Sequence, residues 1–180
     1  IVKPSLRADS VISFTTPSFR DFVSQLAELS GIKIKCLEDY LNAIDIRLNL
    51  FSDAGCEYAD HSLDAGFRFV PVSSGEASSL FGKLLQTGEI SPAETVKLQS
   101  YVLLFMGRCY ARRNWNMQLH IGAKRDTNTQ LRTRLGPAGG YAAIGSACDV
   151  NSLVCFLDTL NEEDSLPRTI LYTLNPADNA

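Results

Sequence analysis

The chain has 180 residues, 45% hydrophobic and 21% charged, which fits one ordinary globular domain and excludes a disordered or fibrous chain. A formal net charge of -3, with no Lys/Arg block, excludes the electrostatic footprint of a nucleic-acid-binding protein. The longest apolar run, Tyr101 to Met106, is far too short to cross a bilayer, and the opening residues do not read as a secretory signal, so no membrane partner is expected.

Ile1-Val2-Lys3-Pro4 reads as the end of a strand, with Arg7 following it. Thr16-Pro17-Ser18 then opens a helix, since proline suits the fixed φ of a first turn. Phe19, Phe22, Val23, Leu26 and Leu29 give it one apolar face, and Ser30-Gly31 ends it. The spacing of Leu37, Tyr40, Leu41, Ile44, Leu48 and Phe51 predicts a second helix over Leu37 to Asp53, closed by Gly55. Cys56 to Ala59 is predicted as a short strand ending on Asp60-His61. A loop of small residues over Ser73 to Ser79 leads to a short helix, Ser79 to Gln86. Ser91-Pro92-Ala93-Glu94 carries a capping box with proline in the first turn, and starts a helix running to about Arg113.

Asn116 to Ile121 alternates: Met117, Leu119 and Ile121 point one way, Gln118 and His120 the other, as in a strand. Lys124 to Gly145 is polar and glycine-rich and reads as a long loop. Asp149 caps a helix through Leu160, and Thr169 to Leu174 forms a strand that stops at Asn175-Pro176. Strands alternating with helices imply parallel pairing. The expected fold class is therefore α/β, with about four parallel strands: half of an eight-stranded (β/α)-barrel or a small open sheet.

Arg7, Asp60, His61, His120 and Asn175 fall at or beyond strand exits, where a (β/α)-barrel builds its active site. Each also has a plainer reading. Arg7 can be a solvated loop residue, Asp60 can cap a turn, and His120 can be a hydrogen-bonded interior histidine. His61 can be a loop residue or one that supports a site from behind. Lys124-Arg125 and Arg132 to Arg134 read either as a solvated charge run or as contacts for an anion. No GxSxG elbow, P-loop, GxGxxG, HxH or HExxH is present, and two histidines make a poor metal cage. Five cysteines without CxxC spacing point to reduced thiols in a cytoplasmic protein.

Longer runs resemble one family. Leu119-His120-Ile121-Gly122-Ala123 with Arg125, Asn128 and Leu135-Gly136-Pro137 is similar to a run of the uronate isomerases. So are Tyr110 to Trp115, Asp60-His61-Ser62-Leu63-Asp64 and Pro167 to Asn179. Lys3 to Asp9 resembles the family's Pro-Ser-Trp/Phe-Arg-Pro-Asp segment, with Leu6 and Ala8 departing from it. The resemblance implies a partial barrel of the amidohydrolase type, residues 1–180 being its central part, with helical insertions near 17–54 and 79–113. It implies aldose–ketose isomerisation of hexuronates: D-glucuronate to D-fructuronate and D-galacturonate to D-tagaturonate. Carried over by motif, His120 and Asp60 are the expected catalytic residues, and Arg7 and His61 the expected substrate-binding residues. The family's divalent metal, zinc by expectation, has its first-strand His-x-His pair and last-strand Asp outside these residues, so no metal ligand is assigned here. Both ends look cut, beginning on Ile1 rather than Met, and the chain alone is expected to be inactive. Open sheet edges make a homo-oligomer one expected association. The residues by themselves leave two other readings: a non-catalytic α/β module, or another hydrolase of the amidohydrolase superfamily.

Overall fold

A computed structural model describes residues 2–179. Its main sheet has four strands: β1 (Leu6–Arg7), β2 (Tyr58–Leu63), β3 (Asn116–Ile121) and β6 (Arg168–Thr173). They lie in the order β1-β2-β3-β6 and every pairing is parallel. Spatial order follows chain order, as in a stretch of barrel wall. A doubly wound sheet would reverse its order at a switch point.

Helices come in pairs between strands. α1 (Phe19–Ser30) and α2 (Leu37–Asp53) join β1 to β2; α3 (Ser74–Thr87) and α4 (Pro92–Arg112) join β2 to β3; α6 (Val150–Glu162) precedes β6. In α4, Ser91 accepts from the Glu94 N–H while the Glu94 carboxylate accepts from the Ser91 N–H, and Pro92 sits in the first turn. Asp39 plays the corresponding part for α2, accepting from the backbone N–H groups of Lys35 and Cys36. The helix pairs meet on Tyr40, which is fully buried, lies edge-on to Phe19 with centroids 6.1 Å apart, packs against Phe81 at 4.9 Å, and donates to the Val11 carbonyl at 2.7 Å.

Alternation along the strands decides which side chains face the helices. Ala59, His61, Leu63, Met117, Leu119 and Ile121 are all buried, while Asp60, Ser62, Gln118 and His120 between them are not. Helices cover one face only. The opposite face, which would be the inside of a closed barrel, is open. β1 and β6 are the two edge strands, and on β6 Ile170, Leu171 and Tyr172 are each about two-fifths exposed. Among the described residues no helix is long and apolar enough to cross a membrane.

Several element bounds differ from expectation. The first strand is Leu6–Arg7 rather than Ile1 to Pro4; Ile1 lies outside the described residues, and Pro4 has no N–H for a ladder. β2 runs on to Leu63, so Asp60 and His61 lie inside the strand and not at its end. α3 begins five residues early, because Ser73 accepts from the Glu76 N–H and caps it. The expected loop over 124–145 holds an antiparallel pair, β4 (Ala123–Lys124) with β5 (Ala143–Ile144), and α5 (Thr129–Leu135), capped by Asn128.

Candidate functional site

β3 stops at Ile121 because Gly122 takes φ of 86°, a left-handed turn that a side chain would oppose. The β4–β5 pair then folds back over the strand ends. Gly145 donates to the Gly122 carbonyl at 2.7 Å, and a Cβ at Gly145 would stand 2.9 Å from that oxygen and collide with Ala65. This close approach brings Arg125 beside the exits of β1, β2 and β3.

Register places the polar side chains in two rows across the open face. Arg7, Asp60 and Gln118 are neighbours in one row; Ser62, His120 and Tyr172 form the next. His120 Nε2 lies 3.8 Å from Asp60 Oδ2, and Arg7 Nη1 lies 3.5 Å from the same oxygen. The imidazole stacks on Tyr172, centroids 4.8 Å apart and planes 13° apart, and the Tyr172 hydroxyl donates to Gln118 Oε1 at 2.9 Å. Arg7 donates from Nε to Asp9 at 2.9 Å and from Nη2 to Ser62 Oγ at 3.1 Å. Arg125 donates to the same Ser62 Oγ at 3.0 Å and from Nε to both Asp64 oxygens at 2.9 Å. A cavity of about 660 Å³ opens beside this group; Arg7, Asp9, Ser62, Asp64 and Arg125 are among its walls, whereas Asp60 and His120 are not.

Of the expected site residues the open face of the sheet therefore brings together Arg7, Asp60 and His120. His61 is not with them. Its neighbours Asp60 and Ser62 point to the open face, so alternation turns His61 into the helix layer, where it is fully buried. Its Nε2 lies 2.8 Å from the Tyr110 hydroxyl, its Nδ1 has no hydrogen-bond partner among the described residues, and burial pushes its pKa down to about 4. This placement turns His61 away from the open face that carries Arg7, Asp60 and His120. Asn175 does not join the group either: its side chain accepts from the Ala177 N–H in the turn after β6.

Three residues that stand in the family-like runs but carried no expected site role belong to the group: Asp9, Ser62 and Asp64. Arg125, which the sequence offers either as part of a solvated charge run or as a contact for an anion, stands in it as well. Two guanidiniums face three carboxylates, so the group has no excess of positive charge. An anion would be held by directed N–H donors rather than by net potential. Exposed ion pairs of this kind contribute about 0–1 kcal/mol each; they do little to hold the fold together. Among the described residues no group of three or more His, Cys, Asp and Glu side chains could hold a metal ion. Asp60 and His120 supply two adjacent donors, and Arg7 already occupies the Asp60 carboxylate, so these residues do not fit a complete divalent-metal site.

The sequence profile of the glucuronate isomerase family matches residues 1–180. A uronate isomerase of Caldanaerobacter subterraneus is 40% identical over 178 residues, covering 99% of this chain and 38% of the relative. One of Caldicellulosiruptor bescii is 39% identical with the same coverage. Among solved structures, a uronate isomerase from Thermotoga maritima superposes with a TM-score of 0.88 at 26% identity, over 97% of this chain and 38% of that one. A glucuronate isomerase from Caulobacter crescentus gives 0.85 at 27% identity, over 97% of this chain and 36% of that one. The chain thus spans less than two-fifths of the length of these relatives. With a family profile matched along its whole length, and with a sheet face that gathers Arg7, Asp60 and His120, the chain belongs to the glucuronate isomerase family.

Proposed function

We propose that these residues supply one wall of the active site of a hexuronate isomerase, which interconverts D-glucuronate with D-fructuronate and D-galacturonate with D-tagaturonate. The observation that carries this reading is the Asp60–His120 pair, 3.8 Å apart, flanked by Arg7 on the open face of the parallel sheet. The reaction on the open-chain sugar removes a proton from carbon 2, forms an enediol and returns a proton to carbon 1. A hydroxyl proton passes from the oxygen on carbon 2 to that on carbon 1. A carboxylate beside an imidazole suits both transfers: Asp60 handles the carbon-bound proton and His120 donates to the oxygen that gains charge. Arg7 and Arg125 meet the sugar carboxylate and its neighbouring hydroxyls; with three N–H groups of Arg7 turned to Asp9, Ser62 and Asp60, two remain for substrate. A divalent metal, zinc by the family resemblance, would draw its main ligands from the part of the relatives that this chain does not cover, and no step is assigned to it here.

The test is kinetic. In the full-length enzyme carrying these residues, Asp60→Asn and His120→Asn each lower kcat on D-glucuronate by about 10²–10⁴-fold. The isolated 180-residue chain gives no turnover. Unchanged kcat in both variants would sink the assignment, and an ordinary turnover rate for the isolated chain would overturn its reading as a partial site.

A further inference from the structure

Asp9 performs a task at the end of β1 that neither the catalytic pair nor the guanidiniums explain. β1 and β2 pair through Leu6–Ala59 and Arg7–Asp60, and the Ala8 N–H still donates to the Asp60 carbonyl at 3.1 Å. In a parallel ladder the next bond would run from the Ser62 N–H to the Ala8 carbonyl. That carbonyl is taken: it accepts from the Val11 N–H at 3.0 Å, because the chain turns into a 3₁₀ helix over Asp9–Ile12. Asp9 Oδ1 stands in for it and accepts the Ser62 N–H at 2.7 Å. Asp9 Oδ2 accepts Arg7 Nε at 2.9 Å. Ser62, fixed through its N–H, offers its Oγ to Arg7 at 3.1 Å and to Arg125 at 3.0 Å. One carboxylate thus closes the strand end, orients one guanidinium directly and reaches the other through Ser62.

We propose that Asp9 is the positioning residue of the anion-binding half of this site: it sets the donor directions of Arg7 and, through Ser62, of Arg125. The proposal rests on the functional reading above for its kinetic consequence, but not for its geometry. Asp9→Asn keeps an oxygen for the Ser62 N–H and turns an amide N–H₂ toward Arg7 Nε, donor against donor. In the full-length enzyme KM for D-glucuronate is expected to rise about tenfold, with kcat changed less than about threefold and the melting temperature nearly unmoved. Arg7→Lys alone also raises KM, and adding Asp9→Asn to it raises KM less than about twofold further, because the group to be oriented is already gone. Ser62→Ala, which keeps the backbone bond and removes the bridge, raises KM in the same sense and serves if Asp9→Asn does not fold. An unchanged KM, a fall in kcat at constant KM, or KM effects that multiply in the double variant would overturn the proposal. A second readout needs no turnover. The Nε–H signal of Arg7 in a ¹H–¹⁵N spectrum, assigned with Arg7→Lys, shifts or exchanges away in Asp9→Asn. If that signal stays put, the proposal fails. If it moves while the wild-type enzyme leaves D-glucuronate unconverted, the positioning role stands and the functional reading fails.

Discussion

The two histidines of this chain lie on neighbouring strands, one residue apart in register, and they live in opposite environments. His61 faces Leu119's side of the sheet and is fully buried against Tyr110; His120, paired across from Ser62, stands on the open face with 44% of its side chain exposed. The pleat alone separates them. Its outer surface carries apolar side chains that join the helix layer to the sheet, and its inner surface carries groups whose mutual contacts are too exposed to stabilise much. Stability and chemistry are thus divided residue by residue along the same two strands.

Substitutions at adjacent positions sharpen this contrast. Leu119→Ala removes a fully buried side chain and is expected to cost about 2–5 kcal/mol in a urea titration. The next largest effect is read by pH. His61 is held neutral in the fold at a pKa of about 4, below the unfolded value of about 6.5, so the unfolded chain takes up its proton first. The stability this contributes is full above pH 6.5, falls as pH drops, and is gone once the pH has passed through 4. Its size is about 3 kcal/mol, and the urea midpoint of His61→Gln should lack this part of the wild-type dependence between those limits. Tyr110→Phe strips His61 of its one hydrogen-bond partner and should cost about 1–3 kcal/mol at neutral pH by the same titration. Smallest is His120→Ala, within about 0.5 kcal/mol of the wild type. A loss there as large as that of Leu119→Ala would break the division between the faces.

Legibility in the sequence followed the same division. Where alternation was clean, as over Asn116 to Ile121, strand bounds and facing were readable together; α2 was equally plain from the spacing of Leu37, Tyr40, Ile44 and Leu48. β2 was misplaced because its inner-face positions, Asp60 and Ser62, are polar and its helix-facing His61 is not an apolar residue, which hides the period of two. That shift moved His61 from core to site. The hairpin and α5 inside 124–145 were unreadable because α5 buries no residue and β4 and β5 have two residues each, too few to show a period. Arg7 and His120 were singled out by their positions at strand ends, and family likeness then supplied their expected roles. Asp9 and Ser62 were missed because their importance lies in a contact between residues 53 positions apart. The Ser73–Glu76 spacing, by contrast, was a visible start signal for α3 that went unused.

The strict alternation of β3 has a consequence for how the gene can change. Every substitution on this strand touches one face, but loss of a single codon between Asn116 and Leu119 would slide the remainder by one step. Leu119 would then be offered to the open side and His120 to the helix layer. Such a deletion would remove the imidazole from Asp60 and place a polar ring in the core at once, so the strand should drift in composition far more freely than in length.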